Sequence, residues 1–313
     1  MGVYIARRLA ATLLVMALVG VFIFLLLHIA PGDPAAVIAG DNATPQQIAD
    51  IRHQLGLDLP VPVQFGRWVW QLLHGNFGIS IFSQAPVLTL IEQRLPATIS
   101  LTLLTMCFAA VLAVGAGVLA AWRAGGLLDR GLMAFSALGF SVPVFVVGYL
   151  LIYVFAMQLG WLPVQGYAPL AAGIWPWLSH LLLPALALGM AYVALIARIT
   201  RASMLEVLAE DYMRTARAKG ASASSMLLHH ALRNAGVPIV TVIGIGVALL
   251  ISGVVITETV FNIPGLGRLT VDAITNRDYP IIQGVIVVFS GAYVLVNLAV
   301  DLVYTVIDPR IRY

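Results

Sequence analysis

The residues whose types could do chemistry are concentrated in one charged interval, residues 198–235. The interval lies between long apolar runs, so we expect it to stay in water at a membrane surface. Its basic residues are Arg198, Arg201, Arg214, Arg217, Lys219 and Arg233, and its acidic residues are Glu206, Glu210 and Asp211. The excess of cations predicts a docking element for a partner that carries acidic groups.

Local signals divide this interval into two short helices. Residues 212–219 contain good helix formers and no proline. Gly220 is suited to end that helix, and Ser222 is suited to cap a second helix that opens at Ala223. The sequence therefore predicts two short helices around a Gly-Ala-Ser turn.

Motifs for nucleotide hydrolysis and for metal binding are missing from the sequence. A P-loop needs a lysine followed by Ser or Thr, whereas Lys219 is the only lysine and Gly220 follows it. None of the six histidines is followed by Glu, so no H-E-x-x-H zinc site exists. Cys107 is the only cysteine, which leaves no disulfide or thiolate metal site. We therefore assign no catalytic residue, no cofactor and no metal, and we expect a protein that is not an enzyme.

The composition is that of an integral membrane protein. Hydrophobic residues make up 61% of the chain and charged residues 10%, whereas soluble domains have roughly 25% charged residues. The net charge is +3, and no basic run is longer than Arg7-Arg8. Nucleic acid is therefore excluded as a partner, and the lipid bilayer is the expected surroundings.

Six apolar segments predict an all-α protein with six membrane-spanning helices in a single domain over residues 1–313. The predicted spans are residues 9–29, 97–122, 131–160, 178–197, 236–257 and 281–300. Pro143 and Pro184 fall inside the third and fourth spans, where we expect them to kink the helices. An even number of crossings places both termini on the same side.

The first connection, residues 30–96, is long enough to form a small excursion from the membrane. Thr44, Pro45 and Gln47 predict the start of a helix that runs from Pro45 to Leu55 and stops at Gly56. A second helix carries an apolar stripe made of Phe65, Trp68, Val69, Leu72 and Leu73. This stripe is open to two interpretations: it lies against the membrane or a partner, or it packs within the excursion itself.

The basic residues predict the orientation of the chain. Twelve of the 17 Lys and Arg residues lie at the termini, in the turn at 123–130 and in the interval 198–235, and five lie in the other connections. The side with more basic residues is expected to face the cytosol. Both termini are then cytosolic, and residues 30–96 lie outside.

Charged residues are absent from the middle of every predicted span. A charge there is retained only where function demands it, so its absence counts against the main alternative of another class, an ion-coupled secondary transporter. Glu258 stands at the outer end of the fifth span. We expect it to be a solvated or paired surface acid rather than a substrate ligand.

The charged interval also carries a family resemblance. The stretch Arg214 to Gly220 (RTARAKG), followed by residues 230–235 (HALRNA), resembles the cytoplasmic EAA loop of ABC importer permeases. In the family pattern E-A-A-x-x-x-G, Ala216 and Gly220 match, while Arg214 and Thr215 occupy the first two positions. This variant is similar to that of the dipeptide/oligopeptide (peptide/nickel) branch, B-type subunit.

Other stretches extend the resemblance to nearly the whole chain. They are LHIAPGDP at 27–34, LGLD at 55–58, GNFGIS at 75–80, RLPAT at 94–98, ETVF at 258–261, PGLG at 264–267, RDYP at 277–280 and DPRIR at 308–312. Each alone is weak, but together and in order they are specific.

The resemblance implies a type I ABC importer transmembrane domain in the bacterial inner membrane, with a periplasmic excursion at 30–96 and an ATPase-docking loop at 198–235. It implies a pore subunit for peptides that pairs with a second homologous permease, two ATP-binding subunits that hydrolyse ATP, and a periplasmic substrate-binding protein. The ATPase-coupling residues would be Arg214, Thr215, Ala216, Arg217, Ala218, Lys219, Gly220 and Arg233. Nickel or glutathione import, a channel and a structural scaffold remain alternatives.

Overall fold

The computed structural model describes residues 2–29, 34–39, 43–54 and 56–307. In chain order the α-helices are α1 Gly2–Ile29, α2 Pro34–Ala39, α3 Pro45–Gln54, α4 Val61–Leu73, α5 Val87–Trp122, α6 Leu127–Ser141, α7 Val144–Leu151, α8 Ile174–Ala209, α9 Asp211–Ala218, α10 Ala223–Ser225, α11 Leu232–Asn234, α12 Gly236–Val260, α13 Leu266–Thr275 and α14 Tyr279–Ile307. Two π-helical segments, Ile152–Gln158 and Met226–Ala231, and a 3-10 turn, Leu170–Ala172, complete the helical structure. These described residues form no β-strand, so the predicted all-α class is confirmed.

Within the described part of the chain, three helices are long and apolar enough to cross a membrane: α5, α8 and the Tyr279–Val300 part of α14. Two bent helix pairs meet the same test, which gives up to five spans, and α1 has a shorter apolar stretch, Ala10–Leu25. One bent pair covers most of the third predicted span, and the other covers the first half of the fifth, which continues along α12. Each of the six predicted spans therefore coincides with apolar helix.

The third predicted span is broken at Pro143 rather than kinked. Helix α6 ends at Ser141, Val142 is extended, and Pro143 precedes α7. The segments Leu127–Gly139 and Val144–Gln158 are bent by 106°. Proline has no backbone N–H and disfavours helical geometry at the residue before it, which accounts for the break. Helix α8, by contrast, continues through its buried Pro184.

The described chain packs as two units. The first unit comprises Pro96–Arg268 and the residues from Leu295 onward. Its core lies where α7, α8 and α12 meet and includes the buried Leu181, Leu188 and Leu250. Helices α5 and α8 approach closely at Gly117, where a Cβ would lie 2.7 Å from the carbonyl oxygen of Ala197. Small residues at such positions allow helices to pack tightly in a membrane.

The second unit comprises Gly2–Leu95 and Leu269–Val294. In it, Phe65 and Trp68 of α4 pack against Phe24 of α1, with ring centroids 5.3 and 5.8 Å apart. Leu73, at the end of the same stripe, is 77% exposed. The stripe thus packs within its own unit at its start and faces outward at its end.

The helix predicted from Pro45 is α3, and its predicted cap is confirmed. The backbone N–H of Thr44 donates to Gln47 Oε1 at 2.8 Å, and the N–H of Gln47 donates back to Thr44 Oγ1 at 3.3 Å. These two bonds form a capping box. Leu55, residues 30–33 of the LHIAPGDP stretch and the whole DPRIR stretch lie outside the described residues.

Candidate docking surface

The loop at 198–235 contains the two predicted helices. Helix α8 extends to Ala209, Glu210 is extended, and α9 follows. Gly220 has φ +84°, a left-handed conformation that favours glycine and ends the helix. The Ser222 hydroxyl accepts a hydrogen bond from the N–H of Ser225 at 3.3 Å, which confirms it as an N-cap. The second helix runs from Ala223 to Asn234 and contains the π-helical turn.

Buried methionines pack this loop against the membrane helices of the first unit. Met213 of α9 is 1% exposed and Met226 is 3% exposed. They share one apolar cluster with Val118 of α5, Met204 of α8 and Ile239 of α12. Burying a side chain of this size contributes about 1.5–3 kcal/mol. The two short helices are therefore packed onto three membrane helices rather than hanging free.

The predicted coupling residues lie on the opposite, exposed side of this cluster. Arg214, Arg217, Lys219 and Arg233 are exposed, and Ala216 is half-buried. The Nη1 atom of Arg214 lies 3.3 Å from Asp211 Oδ1. Both groups are in water, so this ion pair contributes little. Thr215, Ala218 and Gly220 are also exposed.

A groove of about 440 Å³ opens beside these residues. Its walls combine Arg214 and Arg217 with the apolar surface of Leu208, Met213 and Met226. A surface of this kind offers both positive charge and an apolar floor to a partner. We call α9 through Gly220, together with this groove, the docking surface.

Tyr212 lies in the first turn of α9. Partial burial raises the pKa of its hydroxyl above the ordinary value, and the Glu210 carboxylate acts in the same direction, while a side-chain hydrogen bond with Asn234 acts against them. The hydroxyl therefore remains neutral at physiological pH.

Arg201, counted with the basic residues of the loop, is bound within the chain. Its guanidinium donates from Nη2 to Asp129 Oδ2 at 2.7 Å and from Nε to Asp129 Oδ1. The N–H of Gly125 also donates to Oδ2, at 2.8 Å. Asp129 is 4% exposed. This ion pair fixes the first turn of α6 against α8, and it removes Arg201 from the cations that a partner can reach.

Glu258 is not a surface acid, so that prediction is wrong. Its side chain is fully buried. Thr98 Oγ1 donates to its Oε1 at 2.6 Å, and the N–H of Arg268 donates to its Oε2 at 3.0 Å. Thr98 Oγ1 in turn accepts from the N–H of Leu266 at 2.8 Å. A Cβ at Gly265 would lie 2.0 Å from Oε1, so the Pro264-Gly265 turn closes over the carboxylate.

The described residues contain no group of three or more His, Cys, Asp or Glu side chains that could hold a metal ion. His229 is exposed and His230 half-buried, both in the π-helical turn of the loop.

Comparison with known families assigns the chain. Residues 113–313 match the family described as "Binding-protein-dependent transport system inner membrane component", and residues 1–102 match the N-terminal model of the same kind of component. The chain belongs to this family of inner-membrane transport components. The apolar helices and the family together make it an integral membrane protein.

Curated relatives match the chain over its full length. It is 66% identical, over 100% of both chains, to "Probable peptide ABC transporter permease protein y4tP" of Sinorhizobium fredii. It is 45% identical, over 99% of both chains, to "Glutathione transport system permease protein GsiC" of Escherichia coli K12.

A solved structure shows the same fold. The inward-facing MetNI methionine ABC transporter matches with a TM-score of 0.59 and 18% sequence identity, over 70% of this chain and 96% of that chain. This likeness confirms the predicted transmembrane fold of a type I importer.

Proposed function

We propose that this chain is a pore subunit of an ATP-driven importer of peptides, and that separate ATPase subunits dock on its 198–235 loop. The observation that carries the proposal is the docking surface, in which buried Met213 fixes α9 and leaves Arg214, Arg217 and Lys219 exposed. The 66% identity to a relative named as a peptide permease supports the substrate class.

Energy would reach the pore through packing contacts. Because one apolar cluster joins α9 to α5, α8 and α12, a displacement of the docked loop displaces membrane helices. An equilibrium between two pore conformations is then biased by whether the ATPases are closed around nucleotide. The chain needs no nucleotide site of its own, in keeping with the missing P-loop lysine.

The proposed assembly contains a second homologous permease, two ATP-binding subunits and a periplasmic binding protein. Both termini and the docking surface face the cytosol, as the distribution of basic residues predicts. The family is by its description binding-protein-dependent, which supports this assembly over an ion-coupled carrier.

Glutathione is the second candidate substrate. The relative named as a glutathione permease is 45% identical over nearly the whole chain. Glutathione is itself a small peptide, so both candidates belong to one chemical class. Competition between labelled dipeptide and glutathione for uptake distinguishes them.

The test places a negative charge on the docking surface. Ala216→Asp is expected to leave membrane insertion intact and to abolish coupling, because half-buried Ala216 lies on α9 next to Arg217 and an added carboxylate there repels an acidic partner. The measurements are dipeptide uptake in cells and the amount of ATPase that co-purifies with the permease.

Ala124→Asp is the matched control, since Ala124 is exposed in the neighbouring 123–126 turn. Unchanged uptake and unchanged ATPase recovery by Ala216→Asp would refute the docking role.

A further inference from the structure

A partly open cavity of about 270 Å³ lies within the second unit, between residues 80–94 and residues 269–281. Its polar lining residues are Ser80, Ser83, Arg94, Asp272, Asn276 and Asp278. Apolar side chains, including Leu90, Leu269 and Ile281, complete the wall. The docking surface belongs to the first unit, so this cavity is a separate feature.

Asp278 lines this cavity with one carboxylate oxygen in use and the other unused. The residue is 1% exposed. Its Oδ2 accepts from Ser80 Oγ at 2.5 Å and from the N–H of Phe82 at 3.2 Å. Its Oδ1 is buried and has no hydrogen-bond partner. Two donors therefore hold the carboxylate at Oδ2, while Oδ1 is a buried acceptor without a partner.

The position of Asp278 is fixed by the backbone as well. Arg277 before it has φ +54°, a conformation that few non-glycine residues adopt. The N–H of Asp278 donates to the carbonyl oxygen of Ala273 at 2.8 Å, and its own carbonyl oxygen accepts from Ile282 N–H at 3.1 Å. Asp278 thus lies between the end of α13 and the start of α14, and its backbone is hydrogen-bonded to both helices.

The unpartnered Oδ1 of Asp278 specifies what a ligand must supply. An ionised carboxylate only accepts hydrogen bonds, so the ligand must donate one. The buried Asp278 carboxylate, without a cationic partner among the described residues, favours a cation, and the apolar wall of the cavity suits an alkyl stem. We propose that this cavity binds a primary ammonium group on an alkyl stem, which displaces the side chains covering Asp278 Oδ1 and donates to that oxygen.

Arg94 selects among cations. A guanidinium on the same wall repels a divalent metal ion about twice as strongly as it repels a single ammonium charge, and it pairs with a carboxylate carried by the far end of a zwitterion. An organic ammonium therefore matches the cavity better than a bare divalent cation.

Two sources supply such a group: the amino end of a peptide in transit, or a lysine side chain of the binding protein. Only the choice between them rests on the proposed function. The ammonium chemistry itself follows from the cavity.

The experiment uses the assembled permease–ATPase complex in nanodiscs, without binding protein, and follows hydrogen–deuterium exchange at Phe82 and at residues 273–282. Butylammonium is expected to slow exchange, and the neutral probe 1-butanol is not. If both probes slow exchange equally, or if neither slows it, the proposal is overturned and the cavity has no specific ammonium site.

Asp278→Asn is the matched variant. An asparagine oxygen can still accept from Ser80 and Phe82, while its NH2 group replaces the unpartnered acceptor with a donor. Butylammonium binding is expected to weaken at least about tenfold, as for loss of a hydrogen bond to a charged group. Asp50→Asn, on exposed α3, is the control. Unweakened binding to Asp278→Asn overturns the proposal even if peptide transport is established.

Further arms distinguish the sources. If Ala-Ala slows hydrogen–deuterium exchange at these residues and N-acetyl-Ala-Ala does not, the ligand is the amino end of a peptide. Protection by added binding protein, lost when its lysines are acetylated, identifies a lysine side chain. Protection by binding protein that survives acetylation, with no effect of free amines, overturns the proposal.

Discussion

The docking loop and the segment 258–268 are both polar connections that follow long apolar helices of the first unit, yet they bury opposite kinds of side chain. In the loop, Met213 is buried and arginines are exposed. In the segment, Glu258 is buried beneath its own turn and is hydrogen-bonded by Thr98 and Arg268. A charge satisfied inside the chain stabilises the fold, whereas a charge left in water remains available to a partner.

The largest loss of stability should come from breaking the buried hydrogen bonds of Glu258. Glu258→Ala removes the acceptor for the Thr98 hydroxyl and the Arg268 N–H, so we expect the free energy of unfolding to fall by about 3–5 kcal/mol. Thermal unfolding of the purified permease measures this. Glu206→Ala, at an exposed position of α8, is the control. A similar unfolding temperature for both variants would show that the buried acid contributes nothing.

A smaller loss of stability should follow from truncating a buried apolar side chain beneath the docking surface. Met213→Ala leaves a cavity under α9 and is expected to cost about 2–3 kcal/mol. Less ATPase should also co-purify, because α9 is no longer held in place. Leu228→Ala, at a residue 55% exposed in the second loop helix, serves as control. Equal ATPase recovery from both variants would contradict the anchoring role of Met213.

Removing the exposed charges should affect binding and leave stability unchanged. The double variant Arg214→Ala, Arg217→Ala is expected to change the free energy of unfolding by less than about 0.5 kcal/mol. ATPase affinity should fall about fivefold, with a weaker salt dependence, if each charge contributes about 0.5 kcal/mol. A salt titration of the pull-down measures both. Arg67→Ala on α4 is the control, and an unaltered salt dependence would exclude a role for these arginines.

The sides of the membrane on which the 30–96 excursion and the 198–235 loop lie can be tested without disturbing either segment. In a Cys107→Ser background, a membrane-impermeant maleimide applied to intact cells should label Gln46→Cys and not Ser224→Cys. Both positions are exposed, so accessibility alone does not decide the result. Asn42, another candidate position, lies outside the described residues. Labelling of Ser224→Cys alone would reverse the topology.

Features with local causes were predictable from the sequence. The two loop helices depend on Gly220 and Ser222, which lie beside the turn that they form. The capping box at Thr44 is equally local. The break at Pro143 was predicted only as a kink, because proline marks an interruption but the angle is set by packing.

Features that depend on distant partners were not predictable from local patterns. Thr98 and Glu258 are 160 residues apart, and Asp129 and Arg201 are 72 apart. Nothing next to Glu258 in the sequence distinguishes a buried acid from an exposed one. The same holds for Asp278, whose partner Ser80 lies 198 residues away.

Helix α8 is longer than a bilayer is thick. Its 36 residues extend over about 54 Å, against a hydrocarbon core of about 30 Å. Because the helix is uninterrupted, its two ends must move in opposite directions when it tilts about its midpoint. A tilt of about 5° shifts each end by about 2 Å over that length. A small rotation of α8 within the membrane is thus converted into a displacement at Glu210, just before α9, and the reverse also holds.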